Sequence, residues 1–62
     1  MKKYIGHQDK YGEEIYDGDL VLVDGINEPY MVCLAYSREI LLVNGNETIE
    51  MYKVSDLEIQ KI

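Results

Sequence analysis

The 62-residue sequence predicts an all-β domain, and two observations favour this fold class. Its apolar runs are short and rich in Val, Ile, Leu and Tyr, and no segment keeps the 3.6-residue periodicity of an amphipathic helix. Turn residues separate these runs at intervals of about 8–12 residues, which is the spacing of short antiparallel strands. We therefore expect one domain, spanning residues 1–62, that is built from strands and tight turns.

The first part of the chain predicts two short strands followed by a central one. Residues 3–7 and 14–16 are extended, and the turn at residues 9–12 separates them because Gly12 can adopt positive φ. A second tight turn at residues 17–19 leads into residues 20–23. This last segment is apolar on both faces, which is typical of a strand in the middle of a sheet.

The second part of the chain predicts a meander and a closing strand. Pro29 can only open a strand, and Asn44-Gly45 is a strong signal for a tight hairpin. The predicted elements are strands at 30–36, 40–43 and 46–52, one turn of 3₁₀ helix at 54–57, and a short strand at 58–62.

These elements together predict a small SH3-like barrel of five antiparallel strands, with one 3₁₀ turn before the last strand. The meander over residues 20–23, 30–36 and 39–43, with its hairpin partner 46–52, forms the body of the barrel. Closing the barrel hides strand edges that would otherwise aggregate. A single cysteine excludes an internal disulfide, so we expect a homo-oligomer, most simply a dimer, to stabilise so small a core.

The charge balance narrows the classes of partner. Twelve acidic residues against six basic ones give a net charge of −6, which repels phosphate and disfavours direct binding to nucleic acid or to an anionic membrane. The start of the chain has no apolar segment of a secretion signal, and the longest apolar runs are about five residues. A lone cysteine suits a reducing compartment, so we expect a cytoplasmic protein. Solubility alone is the alternative explanation of the charge.

Residues 5–21 combine two glycine-marked turns with an Ile-Tyr-acidic-Gly-Asp string. The pattern consists of Gly6, Asp9, Lys10, Gly12, Ile15, Tyr16, Asp17, Gly18, Asp19 and Val21. It covers about a quarter of the chain and resembles the opening of the YopX family, small proteins found mainly in bacteriophages and prophages. The resemblance implies an SH3-like barrel and a phage setting inside a bacterial host, and it carries over no catalytic residue. A structural interpretation stays open, in which Asp17 and Asp19 accept backbone N–H groups of the turn.

No catalytic, cofactor or metal site is predicted. The acidic pairs in the turns lack the dry pocket that raises the pKa of a general acid, and the four aspartates between residues 9 and 24 do not fit the calcium-loop spacing. A nucleophilic pair would need His7 beside Cys33, yet Cys33 lies among apolar strand residues and is better explained as a small buried hydrophobe. The sequence therefore predicts a protein that is not an enzyme.

The acidic residues are concentrated between residues 9 and 28, where Lys10 is the single basic residue. They are Asp9, Glu13, Glu14, Asp17, Asp19, Asp24 and Glu28. If they share one face, that face could occupy the basic groove of a nucleic-acid-binding protein. The leading hypothesis is an interaction module that binds and inhibits a basic host protein, such as a nuclease or a CRISPR-type defence effector.

All six aromatic residues are tyrosines, which are enriched at interfaces. Tyr11, Tyr30 and Tyr36 flank turns or loops and are candidate contact residues, whereas the other three are expected to be partly buried. In a pocket between protomers, Tyr30 and Tyr36 could stack on a base while Arg38 pairs with phosphate. A second hypothesis is therefore an oligomer that binds a signalling nucleotide, and a third is a structural protein of a phage particle. The tyrosines could also merely cap a thin barrel.

Overall fold

The computed structural model describes residues 3–62, and in this range the chain is all-β and has no α-helix. Residues 1–2, which belong to the segment expected not to be a secretion signal, lie outside the described residues. Seven strands and two 3₁₀ helices follow one another in the order β1 (Tyr4–Gln8), β2 (Glu14–Tyr16), β3 (Leu20–Val23), β4 (Tyr30–Leu34), β5 (Ile40–Asn44), β6 (Glu47–Glu50), the first 3₁₀ helix (Met51–Lys53), the second 3₁₀ helix (Asp56–Glu58) and β7 (Ile59–Lys61).

Five strands form one antiparallel sheet in the order β6-β5-β4-β3-β7. The predicted meander is confirmed, since β3 to β6 pair in sequence and β7 returns along the free side of β3. The β5–β6 loop consists of Gly45 and Asn46. Gly45 has a φ of 54°, the positive value that a tight two-residue hairpin requires at its first position.

Most strand boundaries lie within one residue of the predicted ones, and three larger differences each have a local reason. The predicted strand 30–36 ends at Leu34, because the chain turns back immediately afterwards. In this turn the Ala35 N–H donates a hydrogen bond to the Glu39 carbonyl. The predicted strand 46–52 ends at Glu50, since the next three residues form a 3₁₀ helix that buries Met51. The helical turn predicted at 54–57 lies at Asp56–Glu58, where the Ser55 side chain accepts a hydrogen bond from the Leu57 N–H.

The strands do not close into a continuous barrel. β1 and β2 form a separate two-stranded antiparallel ladder with an irregular register. Individual hydrogen bonds connect this ladder to β7, among them the bond from the Lys10 N–H to the Ile59 carbonyl, with an N···O distance of 2.8 Å. The small sheet is thus attached to β7 at the hairpin loop after β1, and to β4 at the turn after β2, where Gly18 and Asp19 form backbone hydrogen bonds with Val32.

The core lies between the two sheets. Alternate residues of the large sheet turn towards β1 and β2, and Ile15 of β2 and Met51 complete the cluster. Its buried members are Ile15, Val21, Val23, Tyr30, Val32, Leu42, Met51 and Ile59. Ile5 of β1 and Ile49 of β6 pack against them. One face of the large sheet therefore provides most of the core.

Two tyrosines differ from the sequence interpretation. Tyr30, a predicted contact residue, is 4% exposed, because it occupies an inward position of β4 two residues before Val32. Tyr52, predicted to be partly buried, is 76% exposed, because the 3₁₀ helix turns its neighbour Met51 into the core instead. Tyr30 is therefore a core residue and drops out of the set of contact candidates.

Asp9 joins the two sheets through its side chain and is only 6% exposed. Its Oδ1 accepts hydrogen bonds from the N–H groups of Tyr11 and Glu13 within the β1–β2 loop, and its Oδ2 accepts one from the Lys61 N–H of β7, each at 2.9 Å. Burial disfavours the charged form, but these three donors outweigh it and hold the pKa of the Asp9 carboxyl below its usual value. Asp9 is thus an ionised acceptor that fixes the loop against the sheet.

Replacing Asp9 with alanine is expected to destabilise the fold by roughly 3 kcal/mol, because three backbone N–H groups lose a charged acceptor. Asp9→Asn keeps one carbonyl oxygen and should cost clearly less. Asp24→Ala removes an exposed ion pair with Lys10 and serves as the control, with an expected cost below about 1 kcal/mol. Urea unfolding of the three variants measures this order, and equal costs for Asp9→Ala and Asp24→Ala would contradict it.

The stability should also depend on pH through Asp9. Its pKa is lower in the folded than in the unfolded chain, so its ionised form favours folding. This contribution is complete above the unfolded pKa near 3.8 and is lost as the pH falls through the lower folded value. The urea midpoint should decrease between about pH 5 and about pH 2, and it should decrease less in Asp9→Asn than in the unaltered protein. Identical pH profiles for the two proteins would show that Asp9 is not responsible.

Candidate interaction surfaces

Two of the seven predicted surface acids are not on the surface. Asp9 and Asp19 are each 6% exposed. The Asp19 Oδ2 accepts a hydrogen bond from the Tyr16 N–H at 2.8 Å and lies 3.2 Å from the Lys61 Nζ. A carboxylate that binds enclosed backbone N–H groups cannot also face a partner. The prediction that these two aspartates belong to an acidic face is therefore wrong, and they hold turns together instead.

Asp17 and Asp24 have structural partners as well, but they remain accessible. The Asp17 Oδ1 accepts a hydrogen bond from the Leu34 N–H at 3.1 Å, which ties the second turn to the end of β4. The Asp24 carboxylate lies 2.7 Å from the Lys10 Nζ. Both aspartates of the Asp17-Gly18-Asp19 turn thus accept backbone N–H groups, Asp19 from Tyr16 beside the turn and Asp17 from Leu34 of β4 instead of from the turn itself.

The remaining predicted acids are Glu13, Glu14 and Glu28, and all three are exposed. Glu13 and Glu14 lie where the β1–β2 loop runs beside β7, since the Lys61 ammonium donates a hydrogen bond to the Glu14 carbonyl. Glu28 lies at one end of the large sheet, where its carboxylate accepts a hydrogen bond from the Asn44 amide at 3.0 Å. The exposed acids therefore follow the β7 edge and this end of the sheet.

That end of the sheet collects four carboxylates, which we call the acidic end: Asp24, Glu28, Glu47 and Glu58. Two sets of contacts place them there. The Asp24 N–H donates a hydrogen bond to the Glu58 carbonyl, and Asn44 donates one to the Glu28 carboxylate and pairs with Glu47 across the β5–β6 hairpin. The antiparallel order of the sheet brings the two sets to the same end. Sequence reasoning missed Glu47 and Glu58. The Asn-Gly turn was a usable signal, since an antiparallel meander brings the turn after β5 to the same end as the loop after β3.

The opposite end of the sheet carries a shallow groove of about 450 Å³, which we call the aromatic–cation groove. It is lined by Lys3, Leu34, Ala35, Tyr36 and Arg38. Tyr36 is fully exposed, and neither Lys3 nor Arg38 forms an ion pair within residues 3–62. Tyr36 and Arg38, two of the three residues predicted for a nucleotide pocket, both line this groove. The buried Tyr30 does not line the groove.

Arg38 is held in a conformation that side chains other than glycine rarely adopt. It has a φ of 70° and closes the hairpin between β4 and β5, in which its N–H binds the Ala35 carbonyl and the Ala35 N–H binds the Glu39 carbonyl. Glycine is the usual residue at such a position, because L side chains cost roughly 1–2 kcal/mol in the left-handed region. The hairpin therefore keeps an arginine at a strained site beside the groove.

A smaller cavity of about 230 Å³ lies on the other side of Arg38. It is lined by His7, Arg38, Glu39, Ile40, Glu50, Met51 and Tyr52. The Tyr52 hydroxyl bonds to Glu50, and this bond raises the pKa of the tyrosine. His7 contacts Asp56, with 3.0 Å between Nδ1 and Oδ1. This cavity contains mixed charges, and in the described part of the chain no buried side-chain nitrogen or oxygen lacks a hydrogen-bond partner.

Residues 3–62 contain no group of three or more His, Cys, Asp or Glu side chains arranged to hold a metal ion. In the same range, no helix has the length and apolar character needed to cross a membrane. Tyr11, the remaining contact candidate, is 70% exposed in the β1–β2 loop.

Comparisons with protein-family models, with curated proteins and with solved structures find no match to this chain.

Replacing Arg38 with glycine is expected to stabilise the fold by roughly 0.5–1 kcal/mol, because relief of the left-handed strain exceeds the extra entropy of an unfolded glycine. Gly45→Ala places a side chain at a φ of 54° in the neighbouring hairpin and should destabilise by a similar amount. Thermal unfolding of both variants measures the two signs. A loss of stability in Arg38→Gly would mean that contacts of the arginine outweigh its strain.

Proposed function

We propose that this chain is a non-enzymatic interaction module that binds a basic protein through its acidic end. The supporting observation is the unequal charge of the two ends of the large sheet. Four carboxylates lie at the acidic end with the cation Lys10, which pairs with Asp24. At the other end, Lys3 and Arg38 are accompanied by the carboxylates of Glu39 and Glu50. A protein whose charge is distributed unevenly orients a basic partner towards one end and accelerates the encounter.

Binding rather than catalysis is supported by the state of the carboxyl groups. A carboxyl that acts as a general acid near neutral pH needs a raised pKa in a dry pocket. Asp9, one of the two buried carboxyls, instead has a lowered pKa because it accepts three backbone hydrogen bonds. The acids of the acidic end are exposed, which suits electrostatic recognition.

We take the protein to be a small SH3-like domain with an open rather than closed barrel. A four-stranded meander, a 3₁₀ helix directly before the last strand and a two-stranded ladder over the core support this description. With the YopX-like opening at residues 5–21, the proposed setting is a phage or prophage protein in the cytoplasm of a bacterial host.

The partner is proposed to be a nucleic-acid-binding host protein, such as a nuclease or a CRISPR-type effector. Such proteins present rows of Lys and Arg to phosphate, and carboxylates at the acidic end offer the same sign of charge as phosphate. Occupation of the basic groove would inhibit the partner by excluding its nucleic acid. Because the attraction is between exposed charges, binding should weaken with salt.

The double variant Glu28→Gln with Glu47→Gln is expected to weaken capture of the partner roughly fivefold, because two exposed charge pairs are lost while the Asn44 hydrogen bond keeps an acceptor. The measurement is an affinity pull-down from bacterial lysate at low and high salt, with identification by mass spectrometry. A basic protein should be retained at low salt and depleted at high salt.

The matched control is Glu39→Gln with Glu50→Gln, which removes the same number of charges beside the smaller cavity at the other end. It should capture the partner as the unaltered protein does. Equal weakening by both double variants would mean that net charge, and not the acidic end, governs binding. Retention that is insensitive to salt and to both variants would contradict the proposal.

The aromatic–cation groove supports a second candidate function, binding of a nucleotide. Its volume of about 450 Å³ is in the range of small-ligand sites, and it combines an exposed ring with two cations that have no acidic partner in residues 3–62. Tyr36 would stack on the base, while Lys3 and Arg38 would pair with phosphate.

A nucleotide that binds this groove should raise the melting temperature of the protein, since it binds only the folded form. Cyclic and linear nucleotides are the probes, and Tyr36→Ala should abolish the shift. Tyr11→Ala, which removes another exposed ring away from the groove, should preserve it. The absence of a shift with every nucleotide would exclude this function.

A further inference from the structure

The large sheet has a second face that is apolar and lies outside the core. Strand alternation directs six residues of β3, β4 and β5 away from Ile15 and β1: Leu20, Leu22, Met31, Cys33, Leu41 and Val43. None of them belongs to the core cluster or to the residues packed against it. We call this surface the outer face.

The strand register makes the outer face continuous. One row of outward positions crosses the whole sheet. It begins where the Ile62 N–H donates a hydrogen bond to the Leu20 carbonyl. It continues through the strand pairs Leu20–Met31, Met31–Val43 and Val43–Thr48. A second row contains Cys33, Leu41 and Glu50. Leu20 and Met31 are 47% and 46% exposed, so the apolar surface is accessible.

We propose that the outer face binds a second copy of this chain, forming a two-fold symmetric dimer by packing sheet on sheet. This inference goes beyond the proposed function and does not depend on it, because the outer face and the acidic end are different surfaces.

The net charge of the chain indicates which partner binds the outer face. The chain carries a net charge of −6, so most surfaces of two copies repel one another. The outer face is the exception, because its six residues are uncharged and Glu50 is the sole acid in the two rows. A basic partner gains nothing from this surface, whereas a self-complementary apolar surface can oppose itself without bringing like charges together.

The contact area sets the strength of the dimer. The outer face covers three strands, and the outward positions of β6 and β7, among them Thr48 and Gln60, extend the contact to the full width of the sheet. Five strands about 4.8 Å apart and three rows of outward side chains about 6.6 Å apart give a contact surface of roughly 24 by 20 Å, or about 480 Å² for each copy. The two copies would together bury about 1,000 Å², which is at the lower limit for a specific interface. The dimer should therefore dissociate on dilution.

Symmetry places β4 at the centre of the interface. β4 is the middle strand of the five, so a two-fold axis in the plane of contact stacks the β4 strands of both copies, with sheets about 10 Å apart. The single cysteine of the chain, Cys33, lies on β4 in the outer face. The two Cys33 thiols of a dimer are then within reach of a short bismaleimide.

The first test is sedimentation of the protein across a dilution series. The mass should rise from one chain of 7.2 kDa towards two chains as the concentration approaches about 1 mM. Met31→Glu should remain a monomer throughout, because it places a charge at the centre of each facing surface. Leu57→Glu, which alters an exposed apolar residue outside the sheet, is the matched control and should dimerise normally.

A monomeric mass at every concentration would overturn the proposal, as would a dimer that Met31→Glu leaves intact or an assembly larger than two chains. Circular dichroism checks that Met31→Glu is folded. If the variant does not fold, crosslinking of Cys33 in the unaltered protein with a short bismaleimide tests the dimer without any substitution. A dimer band that disappears on dilution supports the proposal, and its absence at high concentration contradicts it.

Discussion

The three backbone hydrogen bonds accepted by Asp9 are the interaction on which the rest of the structure depends. Without a closed ring of strands, single backbone hydrogen bonds join the small sheet and its turns to the large one, from Lys10 to Ile59 of β7 and between the turn after β2 and Val32 of β4. The Asp9 carboxylate provides the connection, because one oxygen organises the β1–β2 loop and the other binds the edge of β7. With the loop held there, Ile15 of β2 covers the inner face of the large sheet and completes the core.

The same arrangement explains why acidic residues in this chain have two different roles. Aspartates in the turns, Asp9, Asp17 and Asp19, accept hydrogen bonds from backbone N–H groups of the loops and strands beside them. Glutamates have longer side chains and lie mostly at exposed positions, where they contribute to the field of the protein. A high acidic content is thus partly structural, and the part that a partner can meet is smaller than the composition implies.

Three surfaces remain available once the core has formed, and they differ in chemistry. The acidic end suits a basic protein, the aromatic–cation groove suits an anion with a planar ring, and the outer face suits another apolar sheet. They lie at opposite ends and on the free face of one sheet, so occupation of one leaves the others accessible. A dimer formed through the outer face would present two acidic ends and two grooves.

The all-β class, the meander and the β5–β6 hairpin follow from local signals, because period-two apolar runs and Asn-Gly turns determine strands and hairpins within a few residues. The register between distant strands decides three further features. It directs Tyr30 inward, it buries Asp9 and Asp19, and it brings Glu28 and Glu47 to either side of Asn44. A shift of one residue in that register would exchange the two faces of the large sheet. The sequence by itself therefore determined which elements form, and the tertiary structure alone decided which side chains meet, which acids reach solvent and which apolar face stays uncovered.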